Sequence, residues 1–246
     1  MNNYQLLIEY VGTNFVGWQF QKNGISVQEV IEKSLKKIIK KQTTIYGSGR
    51  TDAGVHAIEQ SAHFKTEHKI RNKEQFIKSL NFFLSRHQVS ILDIKKKNKL
   101  FHARYSAKKR TYKYIILNRL GSLALDRNKV WHLRKTLDVK AMRKGGNLLV
   151  GTRDFSTFRS SSCSAKSPVK KIELVKIHKM KNKIEIIFVS QSFLQQQVRS
   201  MVGCLKYLGE KKWTLKKFKD VLISKKRKNC APPAPPEGLY LFKVKY

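Results

Sequence analysis

Ser26-Val27-Gln28-Glu29-Val30-Ile31-Glu32-Lys33-Ser34-Leu35-Lys36-Lys37-Ile38 is the stretch that decides the fold. Ser26 followed by Glu29 is a capping box, in which a hydroxyl and a carboxyl can each satisfy a backbone amide at the start of a helix. Val27, Val30, Ile31, Leu35 and Ile38 then recur at three- to four-residue spacing, which predicts an amphipathic helix. Before it, Tyr4, Leu6, Ile8 and Tyr10 alternate as in a strand, and Gly12-Thr13-Asn14 ends that run. After it come a glycine-rich stretch, a short apolar segment from Ser61 to Phe64, and a second capped helix. That helix opens at Asn72-Lys73-Glu74-Gln75 and runs through Phe76, Ile77, Leu80, Phe83 and Leu84, with a strand from Val89 to Ile94 behind it. Strand, helix, strand, strand, helix, strand is the ferredoxin-like (RRM-like) order of an α+β fold, with both helices on one face of an antiparallel sheet. The other face is then left for a ligand.

Beyond about residue 105 the order of elements predicts a second unit of the same kind. Arg110 to Leu117 reads as a strand, Asp138 to Leu149 as a helix, and Lys170 to Ser190 as two strands. A helix through Leu194, Val198, Met201, Val202 and Leu205, a short one from Thr214, and a strand from Leu239 to Tyr246 follow. No sequence repeat links the halves, so this reading rests on element order. It divides the chain at residues 1–105, carrying the glycine-rich loop, and 106–246, with a cleft expected between them. The proline-rich stretch from Ala231 to Pro236 reads as a stiff connector.

The 246 residues carry 52 Lys and Arg against 16 Asp and Glu, a net charge of +36, spread along the whole chain. No fold of it avoids a strongly positive surface, so a polyanionic partner is expected. Nucleic acid fits better than an anionic membrane, because no basic amphipathic anchor is present. A run such as Lys95-Lys96-Lys97 is by itself a solvated face. Cys163, Cys204 and Cys230 are odd in number and widely spaced, giving neither a disulfide framework nor a zinc site. The N-terminus opens directly into the strand pattern, with no signal region and no apolar run long enough to span a bilayer; a cytoplasmic location is expected.

Gly47-Ser48-Gly49-Arg50-Thr51-Asp52-Ala53-Gly54-Val55-His56-Ala57 crowds backbone freedom, a guanidinium, a carboxylate and an imidazole into one loop. An aspartate of ordinary pKa, about 3.9, is ionised at neutral pH, and a neighbouring guanidinium holds it so. Hydrolysis of a glycosidic bond ordinarily uses two carboxylates. No second one sits in a comparable setting here, since Glu9, Glu29 and Glu59 fall on elements or caps, and a single carboxylate acting as nucleophile fits better. The alternative is a turn capped by an Asx bond from Asp52. His56, His63 and His102 match no metal-ligand spacing. Arg110-Thr111-Tyr112-Lys113-Tyr114 places two tyrosines on one strand face beside basic residues, a base-stacking surface or core aromatics. Arg199 lies among Val198, Met201 and Val202, where an unpaired charge is costly, and Asp52 is the natural candidate for its anionic partner.

The loop at 47–57 resembles the signature of the tRNA pseudouridine synthase A family. The similarity continues through Phe101-His102-Ala103-Arg104-Tyr105, Arg110 to Tyr114, Asp154-Phe155-Ser156-Thr157-Phe158-Arg159, Phe193 to Gly203 and Gly238-Leu239-Tyr240-Leu241. The resemblance implies an isomerase that breaks the bond between uracil N1 and ribose, turns the base and rejoins it through C5, without cofactor or metal. It implies Asp52 as nucleophile, at C6 of the base or C1′ of the sugar. Tyr112 packs on the target base, Arg199 pairs with the aspartate, Leu239 joins them at the substrate, and Arg50 takes the place of the flipped base. Phe101, His102, Ala103, Arg104 and Tyr105, with Ser161, Ser162, Cys163, Ser164 and Ala165, match stretches that touch RNA. A homodimer spanned by one RNA is implied by the same analogy.

Several positions depart from the family pattern: Val11 for aspartate, Val16 for histidine, Glu59 for glycine, Leu84-Ser85-Arg86-His87 for Leu-Pro-x-Asp, and Gln196 and Ser200 for histidine and asparagine. These alter the surroundings of Asp52 and Arg199 and bear on the RNA chosen more than on the reaction. The expected substrate is the anticodon arm of tRNA, at the uridines of tRNA positions 38, 39 and 40. Ribosomal RNA, acted on by a diverged paralogue, is the alternative, and a catalytically dead RNA-binding protein is a third reading.

Overall fold

The computed structural model describes all 246 residues, which pack as two compact units, Met1–Lys108 with Tyr240–Tyr246, and Lys109–Leu239. The first unit runs β1 (Asn2–Tyr10), α1 (Val27–Ile39), β2 (Ile45–Gly47), β3 (His56–Thr66), α2 (Lys73–Leu84) and β4 (Val89–Lys97). Both predicted caps form: the Ser26 hydroxyl accepts from the Glu29 amide at 3.1 Å and the Asn72 side chain from the Gln75 amide at 2.9 Å. Each satisfies an amide that the first helical turn leaves unpaired. The strands lie in the order β4-β1-β3, all antiparallel, with β2 on the far edge of β3.

Alternation gives this sheet two unlike faces. Tyr4, Leu6 and Ile8 stand opposite Phe64, Ala62 and Gln60, and the buried stripes of α1 (Val27, Val30, Ile31, Leu35) and α2 (Phe76, Leu80, Leu84) need this apolar face. Asn3, Gln5, Ser61 and His63 lie on the other face and are buried too. They bond to one another and to the segment after β4, with Asn3 Oδ1 alone left without a partner. Gln5 Nε2 donates to Ser61 Oγ at 2.8 Å, and Asn3 Nδ2 donates to the carbonyls of Phe101 and Asn98 at 2.8 and 2.9 Å. That polar content is why β3, eleven residues long, showed only its apolar core from Ser61 to Phe64 in the sequence.

The second unit runs β5 (Lys109–Asn118), β6 (Trp131–Leu133), α3 (Val139–Leu149), β7 (Gly151–Asp154), β8 (Val169–Met180), β9 (Lys183–Ser190), α4 (Gln197–Gly209) and α5 (Leu215–Ile223). Its strands follow the order β5-β9-β8-β7, antiparallel, with β6 pairing parallel to the end of β5. The three- and four-residue strands β6 and β7 are too short for any periodicity to announce them. The last strand, β10 (Leu239–Lys245), was expected to complete the second half. Its residues from Tyr240 pack in the first unit, where Tyr240 and Leu241 pair parallel with His56 and Ala57 of β3. No helix is long and apolar enough to cross a membrane.

Candidate active site

Asp52 lies in the loop joining β2 to β3, partly buried, between a buried Thr51 and an exposed Ala53. A second segment of the first unit holds this loop. Gly17 and Asp52 form an antiparallel bridge, the Trp18 amide donates to the Thr51 carbonyl at 3.1 Å, and the Gly54 amide donates to Phe15 at 3.4 Å. The Thr51 hydroxyl meets the Tyr10 hydroxyl at 2.8 Å, and His56 Nδ1 accepts from the Gly12 amide at 3.0 Å. On the other side, Ser48 Oγ donates to Gln60 Oε1 at 2.7 Å and Gln60 Nε2 donates to the Gly49 carbonyl at 2.9 Å. The loop is therefore clamped at both ends by buried hydrogen bonds, each worth about 1 kcal/mol net.

This corrects the reading of its glycines as general backbone freedom. Of Gly47, Gly49 and Gly54, only Gly54 has a positive φ, +76°. Gly17, outside the loop, carries the larger constraint. At φ +121° it approaches so closely that a Cβ would stand 2.7 Å from the Thr51 carbonyl oxygen. Arg50, two residues before Asp52, is exposed.

The segment Phe101 to Tyr105 lies over the polar face of the same sheet. Ala103 is fully buried, its amide donating to His63 Nδ1 at 3.2 Å and its carbonyl accepting from the Tyr246 hydroxyl at 3.0 Å. Around it runs a ladder of rings: Tyr46 stacked on His63 at 5.3 Å, His63 against His102 at 4.5 Å, and His102 against Tyr105 at 4.4 Å. Its two ends are open, Tyr46 being 50% and Tyr105 75% exposed. Burial, aided by the neighbouring His102 and Lys65, lowers His63 to about 4, and burial beside Arg104 and Lys65 lowers His102 too. Both imidazoles are neutral at pH 7 and can stack without repelling the surrounding cations. Tyr46 and His63 were not singled out as RNA contacts in the sequence. They lie far from residues 101–105 in the chain, and only strand pairing (Tyr46 opposite His63) brings them alongside.

In the second unit, Arg110, Tyr112 and Tyr114 share one face of β5 and are all buried. Tyr112 meets the Phe193 ring edge-on at 5.2 Å. Arg110 Nη1 donates to the Gln191 carbonyl. Tyr114 is a core aromatic: its hydroxyl donates to the Pro235 carbonyl at 2.7 Å, its ring lies against Gly238, and burial first, then Glu237, pushes its ionisation well above the ordinary range. Arg199, in the first turns of α4, is partly buried and donates from Nε to the Ala234 carbonyl at 2.7 Å, while its own carbonyl accepts from the Ala234 amide at 2.9 Å. The stretch from Ala231 to Pro236 is thus more than a connector, because it grips the arginine backbone and side chain. Leu239 is buried at the start of β10.

Arg159 closes the loop that follows it, donating from Nη2 to the carbonyls of Cys163 and Ala165 at 2.5 and 2.9 Å. The Ser160 amide donates to the Gln195 carbonyl at 3.1 Å, tying this loop to the entry of α4. Ser161, Ser162 and Ser164 are exposed, whereas Cys163 is buried. Burial raises the Cys163 thiol, but contacts with the Ala165 and Gln195 backbone and the Arg159 charge outweigh it and bring the thiol below its usual value. Two departures from the family pattern find local partners: Glu59 pairs with Lys243 at 3.9 Å, and Ser200 Oγ accepts from Arg227 Nη1 at 2.7 Å. No group of three or more His, Cys, Asp or Glu side chains is placed to hold a metal ion.

Comparison with known sequences bears on this arrangement directly. The family described as tRNA pseudouridine synthase matches residues 6–106 and 147–246. The chain belongs to the tRNA pseudouridine synthase family. It is 58% identical over 246 residues to a tRNA pseudouridine synthase A of Pelagibacter ubique, with all of both chains covered. A protein of the same name from Parvibaculum lavamentivorans is 45% identical, and one from Thermoanaerobacter is 41% identical, again over the whole of each chain. The family match omits residues 107–146, among them Tyr112, and the full-length relatives span that stretch. The pseudouridine synthases are isomerases, and the α+β architecture with antiparallel sheets agrees with membership.

Proposed function

We propose that this chain isomerises uridine to pseudouridine in the anticodon arm of tRNA, at the uridines of tRNA positions 38, 39 and 40, with Asp52 as the nucleophile. The observation that carries the assignment is the clamped loop. Asp52 is partly buried yet braced on both sides, by Gly17 and Trp18 and by Ser48 and Gln60, which is how a carboxylate is held ready for covalent attack. In this reading the first unit supplies the nucleophile and Arg50, which fills the gap left by the extruded base. The second unit supplies Tyr112 against the uracil, Leu239 beside it, and Arg199 as the cation assigned to pair with Asp52. Taking a base out of a stacked stem costs a few kcal/mol. Phosphate contacts of the basic chain, the open ring ladder at Phe101 to Tyr105, and the loop from Ser161 to Ala165 offset that cost.

The relatives' names favour tRNA over ribosomal RNA, the alternative motivated by the altered residues near Asp52 and Arg199. Action without a cofactor, a homodimer binding one RNA, and a cytoplasmic setting complete the reading. Asp52→Asn tests the nucleophile. It should leave RNA binding within about threefold while abolishing tritium release from 5-tritiated uridine, since the amide is isosteric but not nucleophilic; turnover near wild type sinks the assignment. Mapping pseudouridine in tRNA and ribosomal RNA with and without the gene tests the substrate, and loss confined to ribosomal sites overturns it.

A further inference from the structure

The sequence spaced Cys204 and Cys230 too widely to suggest a pair, yet the fold brings their sulfurs within 3.5 Å of each other. Cys204 is fully buried on α4, five residues past Arg199, and Cys230 is partly exposed just before the proline-rich strap. The strap closes on the helix between them. A Cβ at Gly203 would stand 2.0 Å from the Pro232 carbonyl oxygen, and the Arg199 carbonyl holds the Ala234 amide at 2.9 Å. Both cysteines are free thiols. A bond of about 2.05 Å needs the sulfurs to approach by about 1.5 Å, within reach of side-chain rotation.

We infer that Cys204 and Cys230 form a reversible oxidation site, converted by a peroxide to a disulfide that locks the strap onto the helix carrying Arg199. The two thiols are chemically unlike, as such a site requires. Cys204, its sulfur held by Cys230 and its surroundings dry, is pushed well above the ordinary thiol range. Cys230 is lowered by the hydrogen bond from Cys204 and by the Arg227 guanidinium, against the opposing effect of burial. Cys230, the more exposed and more acidic, is the sulfur that meets the oxidant. Its thiolate attacks one oxygen of hydrogen peroxide, breaking the O–O bond and leaving a sulfenic acid and hydroxide. Cys204 sulfur then attacks that sulfenic sulfur and breaks the S–O bond. Its proton and the departing hydroxide form water. The sum is two thiols and one peroxide giving one disulfide and two waters, and a dithiol reductant reverses it by exchange.

The test uses the full-length protein treated with hydrogen peroxide, followed by mass spectrometry without reduction, thermal melting and amide exchange. Expected are a loss of about 2 Da, a cross-linked peptide joining Cys204 to Cys230, and a melting point raised by about 5–10 °C. Exchange at the Ala234 amide should slow, because strap opening is suppressed. Dithiothreitol should undo all of these. Cys230→Ser and Cys230→Ala should each lack the cross-link and the shift, while Cys163→Ser retains the cross-link. The inference is overturned if wild-type protein keeps Cys204 and Cys230 unlinked, if Cys230 proceeds to the sulfinic acid without a cross-link, or if the bridge involves Cys163.

Discussion

Gly203→Ala is the substitution that most directly asks whether the strap positions Arg199. A methyl group there falls 2.0 Å from the Pro232 carbonyl oxygen and 3.5 Å from the Ala234 amide nitrogen, and both are backbone atoms that cannot swing aside. The strap must therefore move off α4. Doing so strains or breaks the bond from the Ala234 amide to the Arg199 carbonyl, 2.9 Å, and the bond from Arg199 Nε to the Ala234 carbonyl, 2.7 Å. A neutral bond contributes about 1 kcal/mol and one from a charged donor about 1.5–3, so the loss is about 2–4 kcal/mol. For a protein of this length that is a fall in melting temperature of about 4–16 °C. Turnover should fall at least about tenfold through misplacement of Arg199. Thermal melting with single-turnover tritium release reads both. Gly121→Ala is the control, since the nearest atom to its added Cβ is the Arg119 side-chain nitrogen at 3.9 Å. Melting within about 1 °C of wild type together with unchanged turnover would refute the packing argument.

Other outcomes follow from the same structure. His63 is lowered to about 4 by burial first, and its Nδ1 accepts the Ala103 amide, so protonation opposes the fold. The unfolded chain, with histidine near 6.5, then binds more protons between about pH 4 and 6.5. Stability should be full above that window and fall across it by at most about 3 kcal/mol as pH drops. His63→Gln should flatten urea-unfolding profiles there, and an unchanged slope contradicts the account. Tyr105→Ala removes the more exposed end of the ring ladder; base stacking is worth about 1–3 kcal/mol, so RNA affinity should weaken about five- to a hundredfold with melting nearly unaltered. Titrations from 50 to 200 mM salt should weaken RNA binding by roughly a thousandfold or more if six to ten phosphates are contacted; a flat response means the basic surface is not the contact.

Local signals in the chain were sufficient for the helices and for the long strands with an apolar face. Ser26, Asn72, Asp138 and Thr214 all cap the helices that follow them, because a cap needs only a side chain and an amide three residues on. The motif around Asp52 was equally legible, being contiguous. Tertiary structure decided what depends on residues far apart in sequence. It extended β3 through polar positions satisfied by Gln5, Ala103 and Tyr246, and it placed Tyr240 and Leu241 beside His56 and Ala57 in the first unit. It turned a proline-rich connector into the grip on Arg199, through backbone carbonyls that no side-chain pattern records. It also paired Cys204 with Cys230. Sequence determines what lies within a few residues along the chain, whereas the partners of buried polar groups are set by which segments the core brings together.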